Sequence, residues 1–510
     1  MKHLFLHPIL TGTILLTAAG FLSRILGFFY RIFLSRAIGA EGLGLYQMIF
    51  PVHGIAFALC AGPIQTAISR LTAADAAKGR ALFKTGLSIS LGAALVLTLL
   101  IRACSGFLAE TVLLEPRCAP LLPVMAFSIP FSAVHACICG YYYGLKKTAV
   151  PALSQLAEQC IRITAVFLIA GVCTENGLPL TVSLAVWGLL LGEAGAAIVS
   201  FLFYSFQPAP GKNAPQKQAQ KRRFAALAAP LMAMALPLMG NRLILNFLQS
   251  LEAIFVPSRL VLSGLSPEEA LSLYGSLTGM ALPFIYFPSA ITNSLAVVLL
   301  PAVSEAQAAG NRARIRRSVS LALRYSLSMG ILCIGIFTLF GDSLGQSVYQ
   351  SKSAGLLIRA LCWLCPFMYL STTTGSILNG LGKTSAVFLH HAISMLLTLS
   401  FVVFAIPRFG IAAYLAGLLL SELLLAALHL RALSREIPIF LPAGQAVLCP
   451  AISLVLAAGI LFFAEPALAP FFALLPAGFL PVLFRVGLLS VLYAGGLFLL
   501  GRPGRRNRPA

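Results

Sequence analysis

The feature that most limits what this chain can become is a succession of apolar stretches, each about twenty residues or longer, separated by short polar segments. A helix of ~20 apolar residues crosses the hydrocarbon of a bilayer. Fourteen such stretches can be drawn, at 10–36, 44–70, 83–103, 119–144, 149–173, 179–206, 225–256, 272–305, 318–341, 355–380, 385–406, 411–431, 443–464 and 479–500. Backbone groups in lipid must be satisfied internally, so an all-α polytopic membrane protein of about 14 transmembrane helices is expected. A composition of 59% hydrophobic and 10% charged residues leaves no soluble alternative at this length.

The formal net charge of +21 would suit nucleic acid if it lay on one soluble face. Instead the basic residues form short clusters between apolar stretches, which reads as topology signalling and excludes nucleic acid as a partner. With the N-terminus inside, 24 of the 36 Lys and Arg fall on the cytoplasmic side. These include Arg70, Lys78, Arg80, Lys84, the Lys212–Arg223 group, Arg312–Arg317 and Arg502–Arg508. Seven fall outside, and Arg24, Arg31, Arg162, Arg242 and Arg485 remain within the spans. Both termini are therefore expected in the cytoplasm, and the protein in the cytoplasmic membrane. The first apolar run is longer than a signal-peptide core, has no clear cleavage site and reads as a retained span.

The segment Gln207–Arg223, rich in Pro, Gln and Lys, reads as a cytoplasmic linker between two halves. A repeat agrees: Pro130 and Phe131 recur as Pro366 and Phe367, and GLKKT at Gly144–Thr148 recurs as GLGKT at Gly380–Thr384, all at an offset of 236. The expected organisation is a six-helix lobe at 1–206, the linker at 207–223 and a second six-helix lobe at 224–441. Two extra spans at 442–500 and a basic tail at 501–510 complete it. Parallel lobes of this kind form a substrate path between repeats. Pro51 and Pro63 in the second span, echoed by Pro288 and Pro301 in the eighth, suggest paired kinks.

Charge inside an apolar span needs a reason, because an arginine near the bilayer centre costs about 2.5–3.5 kcal/mol even on the lenient insertion scale. In the first span Gly20, Arg24, Gly27 and Arg31 follow at spacings of four, three and four, one helical face that is open in volume and positive. It reads as the wall of an anion-receiving cavity. Snorkelling of Arg31 and neutralisation of Arg24 by a neighbouring helix is the structural alternative. The seventh span carries Arg242, Asn246 and Gln249, then Glu252, with Arg259 nearer its outer end. As the repeat counterpart of the first span, it is expected to form the opposite wall. Glu252 could hold an arginine until an anionic head group displaces it, and a fixed structural pair explains it equally well.

Glu158 and Arg162, at i and i+4, read as an ion pair within one helix. Glu193 and Glu422 end the matching runs GLLLGE and GLLLSE. They could carry protons, hold a cation or help the lobes pack, and these options stay open. His53 and His135 are weak cavity candidates, and Thr372, Thr373, Thr374 and Asn379 read as helix-to-helix hydroxyl and amide contacts. Cys362 and Cys365 form a C-x-x-C inside an apolar span with no second ligand pair beside it, so no metal or redox site is expected. The two aspartates, Asp75 and Asp342, lie in loops. With neither a clustered acid-base constellation nor a Walker A sequence, a transporter rather than an enzyme is expected, without a cofactor.

The stretch TAAGFLSRILGFFYRIFLSRAIGAEGLGLYQMIFPVHGIAFALCAGPIQTAISRL, Thr17–Leu71, resembles the opening of the stage V sporulation protein B family. EQCIRI (Glu158–Ile163), NRLILNFLQSLEAIFVPSRL (Asn241–Leu260) and FPSAITNSLAVVLLPAVSEA (Phe287–Ala306) extend the resemblance more loosely. This family exports polysaccharide in spore-forming Firmicutes. It belongs to the multidrug/oligosaccharidyl-lipid/polysaccharide (MOP) superfamily, with the MurJ-type lipid II flippases and the MATE drug exporters. The resemblance implies two six-helix lobes in a V, alternating access to a central cavity, and a groove for the polyprenyl tail formed by the last two helices. SRILGF, Ser23–Phe28, matches the first-helix pattern of MurJ-type flippases, so a substrate-binding arginine carries over onto Arg24 and a second falls at or beside Arg31. The charged residues of the MurJ-type second helix find no match between Gly44 and Gly62, so head-group recognition is expected to differ.

The expected function is translocation of an undecaprenyl-pyrophosphate-linked saccharide, a peptidoglycan precursor such as lipid II, for spore cortex synthesis. Membrane lipids and cell-wall synthases are the expected partners, and membrane potential, Na+ or H+ the expected driving force. The rivals are a MATE-like cation-coupled drug exporter and a non-transporting membrane scaffold for cortex synthesis.

Overall fold

A computed structural model describes residues 8–206, 217–437, 444–473 and 478–500. Of the linker expected at 207–223, residues 207–216 lie outside the described residues, as does the tail from 501 onward, and 217–223 instead open the helix Lys217–Leu262; the described residues form helices and no strand. Eleven helices are long and apolar enough to cross a membrane, and the bent pair Lys352–Leu361 and Leu364–Gly380, at 57°, makes a twelfth. The run Leu15–Ala74 counts once there and contains the first two stretches read from the sequence. The eighth stretch is divided among Pro267–Gly275, a wide turn at Ser276–Ala281, Leu282–Tyr286 and Ser289–Ala308.

Proline decides where several spans break. Pro130 is the third residue of Ser128–Gly144 and Pro366 the third of Leu364–Gly380, and each helix is preceded by a break at Phe127 or Trp363. The ring removes the amide that would reach the carbonyl four residues back and clashes with it. The orphaned Ala126 carbonyl then accepts the Thr98 hydroxyl at 3.0 Å. In the second lobe the Cys362 carbonyl accepts the Cys365 amide at 3.1 Å. The paired kinks expected in the second and eighth spans also occur. Phe50–Cys60 and Gly62–Ala74 meet at Ala61, with Pro63 in the first turn of the second piece. Ser90 donates its hydroxyl to the Cys60 carbonyl beside that break. The eighth span breaks at Phe287–Pro288.

Contacts gather the chain into two compact units, Met1–Ser258 with Pro267–Gly275, and Arg259–Ser266 with Ser276–Ala510. The repeat in the sequence records connectivity, whereas these units record packing. For most of its length the seventh span, Lys217–Leu262, packs within the first unit. There Leu231 and Ala235 are buried with Ile64, Ile68, Phe83 and Tyr142. Lipid offers no hydrophobic drive between helices, so close approach at small residues takes its place. Gly275 lies so near the Ala40 carbonyl that a Cβ would not fit. In the second unit Leu323, Leu378, Ala426 and Leu433 share a core, and the last two spans form a separate cluster with Leu332 and Ile336, where the Tyr493 hydroxyl donates to the Ser328 carbonyl at 2.7 Å.

Candidate functional site

The stripe of the first span borders open space at one end. A Cβ built at Gly20 meets nothing within 4 Å, and one at Gly27 meets only Gln159 Oε1 of the fifth span, at 3.9 Å. Arg24 is exposed and Arg31 half-buried. Arg31 lies within electrostatic reach of the buried Tyr30 and Tyr46. Glycine at 20 and 27 keeps this face free of side-chain bulk beside the two arginines.

The polar stripe of the seventh span turns toward the broken second span. Asn246 Nδ2 donates to the Gly54 carbonyl at 2.9 Å, and the Arg242 guanidinium lies over Gly62, just past the break. Gln249 and Asn246 line a small cavity of about 170 Å³ with Gln47, Phe50, Pro51 and Tyr274. Glu252 is within electrostatic reach of Tyr274. The structure thus sets Arg242 beside the second-span break and Asn246 and Gln249 along the helix before it, with Asn246 bonded to Gly54. Arg259 is half-buried and belongs to the second unit.

The structure also brings together residues that the sequence offers separately. Arg162 Nη2 donates to Glu158 Oε1 at 2.5 Å, the expected pair within the fifth span. Glu193 of the sixth span and His135 of the fourth join it, and one ligand atom from each of His135, Glu158 and Glu193 lies within 4.8 Å of the others. His135 Nε2 is held by Ser154 Oγ at 3.0 Å, and the Ser132 hydroxyl lies against Glu193. Beside them Tyr30 is 6% exposed, and its hydroxyl has no hydrogen-bond partner among the described residues. Spacing within one helix reveals the i,i+4 pair, but no pattern in the sequence reports that three other helices deliver Tyr30, His135 and Glu193 to it.

In the second unit Glu422 accepts the Ser371 hydroxyl at 3.2 Å, and His429 Nδ1 donates to the Ser371 carbonyl at 3.1 Å. Of the tenth-span threonines, Thr373 bonds across to Ser326 at 2.7 Å. Thr372 and Thr374 donate to carbonyls of their own helix, and Thr374 also meets His429 Nδ1 at 3.4 Å. Cys362 and Cys365 are buried free thiols at the bend. The last two spans border an open apolar cavity of about 480 Å³ lined by Leu468, Phe472, Leu483, Phe484, Gly487 and Leu488. At its edge Arg485 lies over the Phe472 ring at 4.6 Å and pairs with Glu465 at 3.0 Å, which accounts for one of the intramembrane arginines.

Residues 9–307 match the polysaccharide biosynthesis protein family. The chain is 30% identical to stage V sporulation protein B of Bacillus subtilis (strain 168) over 442 residues, 84% of each protein. It is 22% identical over 412 residues to the lipid II flippase MurJ of the same organism, covering 74% of this chain and 73% of that one. Among solved structures, lipid II flippase MurJ in an inward closed conformation matches with a TM-score of 0.72 at 15% identity, over 96% of this chain and 99% of that one. An inward-facing MATE multidrug transporter of the MOP superfamily matches at 0.58 and 14% identity, over 81% and 95%. The structural likenesses bear on the fold, and the family match on descent. The chain belongs to the polysaccharide biosynthesis protein family and is a relative of stage V sporulation protein B.

Proposed function

We propose that this protein is a flippase that moves an undecaprenyl-pyrophosphate-linked saccharide from the cytoplasmic to the outer leaflet by alternating access. The observation that carries the reading is the first-span stripe, where Arg24 stands exposed between two glycines on a face with open space beside it. A guanidinium keeps its charge at physiological pH and its forked donors match pyrophosphate oxygens. Arg31, and Arg242 over the second-span break, are further candidates for the head group. The apolar cavity of the last two spans suits a prenyl tail. A peptidoglycan precursor for spore cortex is the proposed cargo, by analogy with relatives named for sporulation and for lipid II. Both termini are placed in the cytoplasm on the charge asymmetry of the loops. Cell-wall synthases that use the exported precursor are the proposed partners.

The test is leaflet exposure of labelled lipid-linked precursor in cells depleted of the protein and complemented with wild type or Arg24→Ala. Restoration by wild type alone supports both the flippase reading and the arginine stripe. Exposure that never depends on the protein overturns it. Resistance to cationic drugs would then favour the exporter, and function surviving every cavity mutation the scaffold.

A further inference from the structure

The cluster around Arg162 holds two carboxylates and lies inside three of the helices apolar enough to span a membrane. Glu158 is the tenth of 27 residues in Ala149–Glu175, Glu193 the eleventh of 23 in Ser183–Ser205, and His135 the fifteenth of 24 in Leu121–Gly144. Two carboxylates therefore share one guanidinium near mid-span. Arg162 pairs with Glu158, and Glu193 has no ion pair of its own among the described residues. Intramembrane ionisable groups in such a position mark ion or proton paths by default.

The second lobe shows that packing alone does not require these charges. The offset of 236 places His135 on Ser371, Glu158 on Ser394 and Arg162 on Thr398. The runs GLLLGE and GLLLSE place Gly192 on Ser421 and Glu193 on Glu422. The seats are kept. Ser394 Oγ donates to the Ser421 carbonyl at 2.9 Å, Thr398 Oγ1 to Ser421 Oγ at 2.8 Å and Ser371 Oγ to Glu422 at 3.2 Å. Hydroxyls and one carboxylate close that seam, while the first lobe fills the same seats with an imidazole, a second carboxylate and a guanidinium.

The groups facing Glu193 come from every neighbouring element. The fifth span supplies Glu158 and Arg162, the fourth His135, Cys139 and Ser132, and the first Tyr46, while Tyr30 of the first span and His53 of the second lie within reach of Arg162, and Arg31 within reach of Tyr30 and Tyr46. A metal ion would meet the Arg162 guanidinium and find Glu158 already committed to it. A proton needs only one carboxylate oxygen. Tyr30 adds a buried hydroxyl without a partner, close to Gly188 and the Arg162 stem, where a polar group in the loaded or unloaded site can engage it.

We propose that His135, Glu158, Arg162 and Glu193 form a proton-binding site in the first lobe, with the proton carried on a Glu193 carboxylate oxygen. Ionised Glu193 draws Arg162 into a bridge between the fifth and sixth spans. Protonated Glu193 releases Arg162 to Glu158 alone and hydrogen-bonds to its uncharged neighbours. Loading thus changes how firmly that seam is held. The coupling of this change to export rests on the flippase reading, but proton binding does not.

The test is infrared difference spectroscopy of the full chain reconstituted in liposomes, titrated in pH with and without Na+. A carbonyl stretch from a buried protonated carboxyl is expected, unaffected by Na+ and lost in Glu193→Gln. It should persist in Glu422→Gln, and its midpoint should move in Arg162→Lys. Retention of the band in Glu193→Gln, its absence from wild type, or its removal by Na+ overturns the proposal. An imposed pH gradient should accelerate precursor export by wild type and not by Glu193→Gln. If no precursor moves at all while the band still titrates with Glu193, the flippase reading fails and the proton site stands. Recovery of Glu193→Gln with an unchanged melting profile separates loss of the site from loss of the fold.

Discussion

Arg162 crosses the seam between the fifth and sixth spans over Gly192, where a Cβ would stand 3.0 Å from both its Cβ and its Nε. The repeat counterpart of this pair is Thr398 against Ser421, with hydroxyls 2.8 Å apart. A long cationic side chain on one helix thus stands against glycine on the other, and a short hydroxyl side chain against serine.

Gly192→Ala should therefore destabilise the protein even though alanine is the better helix former. Overpacking costs about 1–3 kcal/mol, against about 1 kcal/mol gained in propensity. Arg162→Lys, which removes the branched Nε, should reduce the penalty of Gly192→Ala. Heat-stability assays on both single variants and the double variant measure that coupling, and strict additivity would refute it.

Arg24→Ala and Arg31→Ala should each reduce precursor export with normal protein levels in the membrane. A hydrogen bond to a charged group contributes about 1.5–3 kcal/mol, so a loss of roughly tenfold or more is expected for Arg24. Arg24→Lys should recover only part, because an ammonium lacks the planar fork. Equal export by all three variants would remove the stripe from the substrate path.

Thr98→Val should cost about 1–3 kcal/mol, because it leaves the Ala126 carbonyl without a donor in an apolar setting. Thr98→Ser should be nearly neutral. Pro130→Ala, which restores the missing amide, should soften the effect of Thr98→Val in the double variant. Melting in detergent distinguishes these outcomes.

Gly487→Phe should fold normally, since a Cβ there meets nothing within 4 Å, yet it fills the cavity beside Leu483 and Leu488. Export of precursor is expected to fall sharply. Export at the wild-type rate would show that the cavity holds no part of the cargo.

Asp75 caps the loop after the second span, with Lys78 Nζ 2.9 Å from its carboxylate and the Ala77 amide donating at 3.1 Å. The Lys78 contacts hold its carboxyl below the ordinary value of 3.8. A depressed carboxylate stabilises the fold above its unfolded value and ceases to do so as pH falls through the folded one. The small stability difference between wild type and Asp75→Asn should thus be present near neutrality and vanish in acid below about pH 4. The site is exposed, so added salt should shrink it as well.

Much of the architecture is local and therefore readable in one dimension. Apolar length marks the spans, and Pro63, Pro130, Pro288 and Pro366 mark breaks because a missing amide acts within its own helix. The offset of 236 exposes the repeated pair of breaks, and the i,i+4 spacing exposes Glu158 with Arg162. Tertiary structure decides what lies beyond a single helix. Four elements deliver Tyr30, His135, Glu158 and Glu193 to one guanidinium, and the seventh-span stripe turns onto the second span through Asn246 and Gly54. Thr98 finds Ala126, and Gly192 yields to Arg162. Apolar helices in lipid have many nearly equal faces to offer each other, so the faces that meet are chosen by small residues and by unsatisfied polar atoms. Those partners are distant in sequence, and only packing brings them within a hydrogen bond's length.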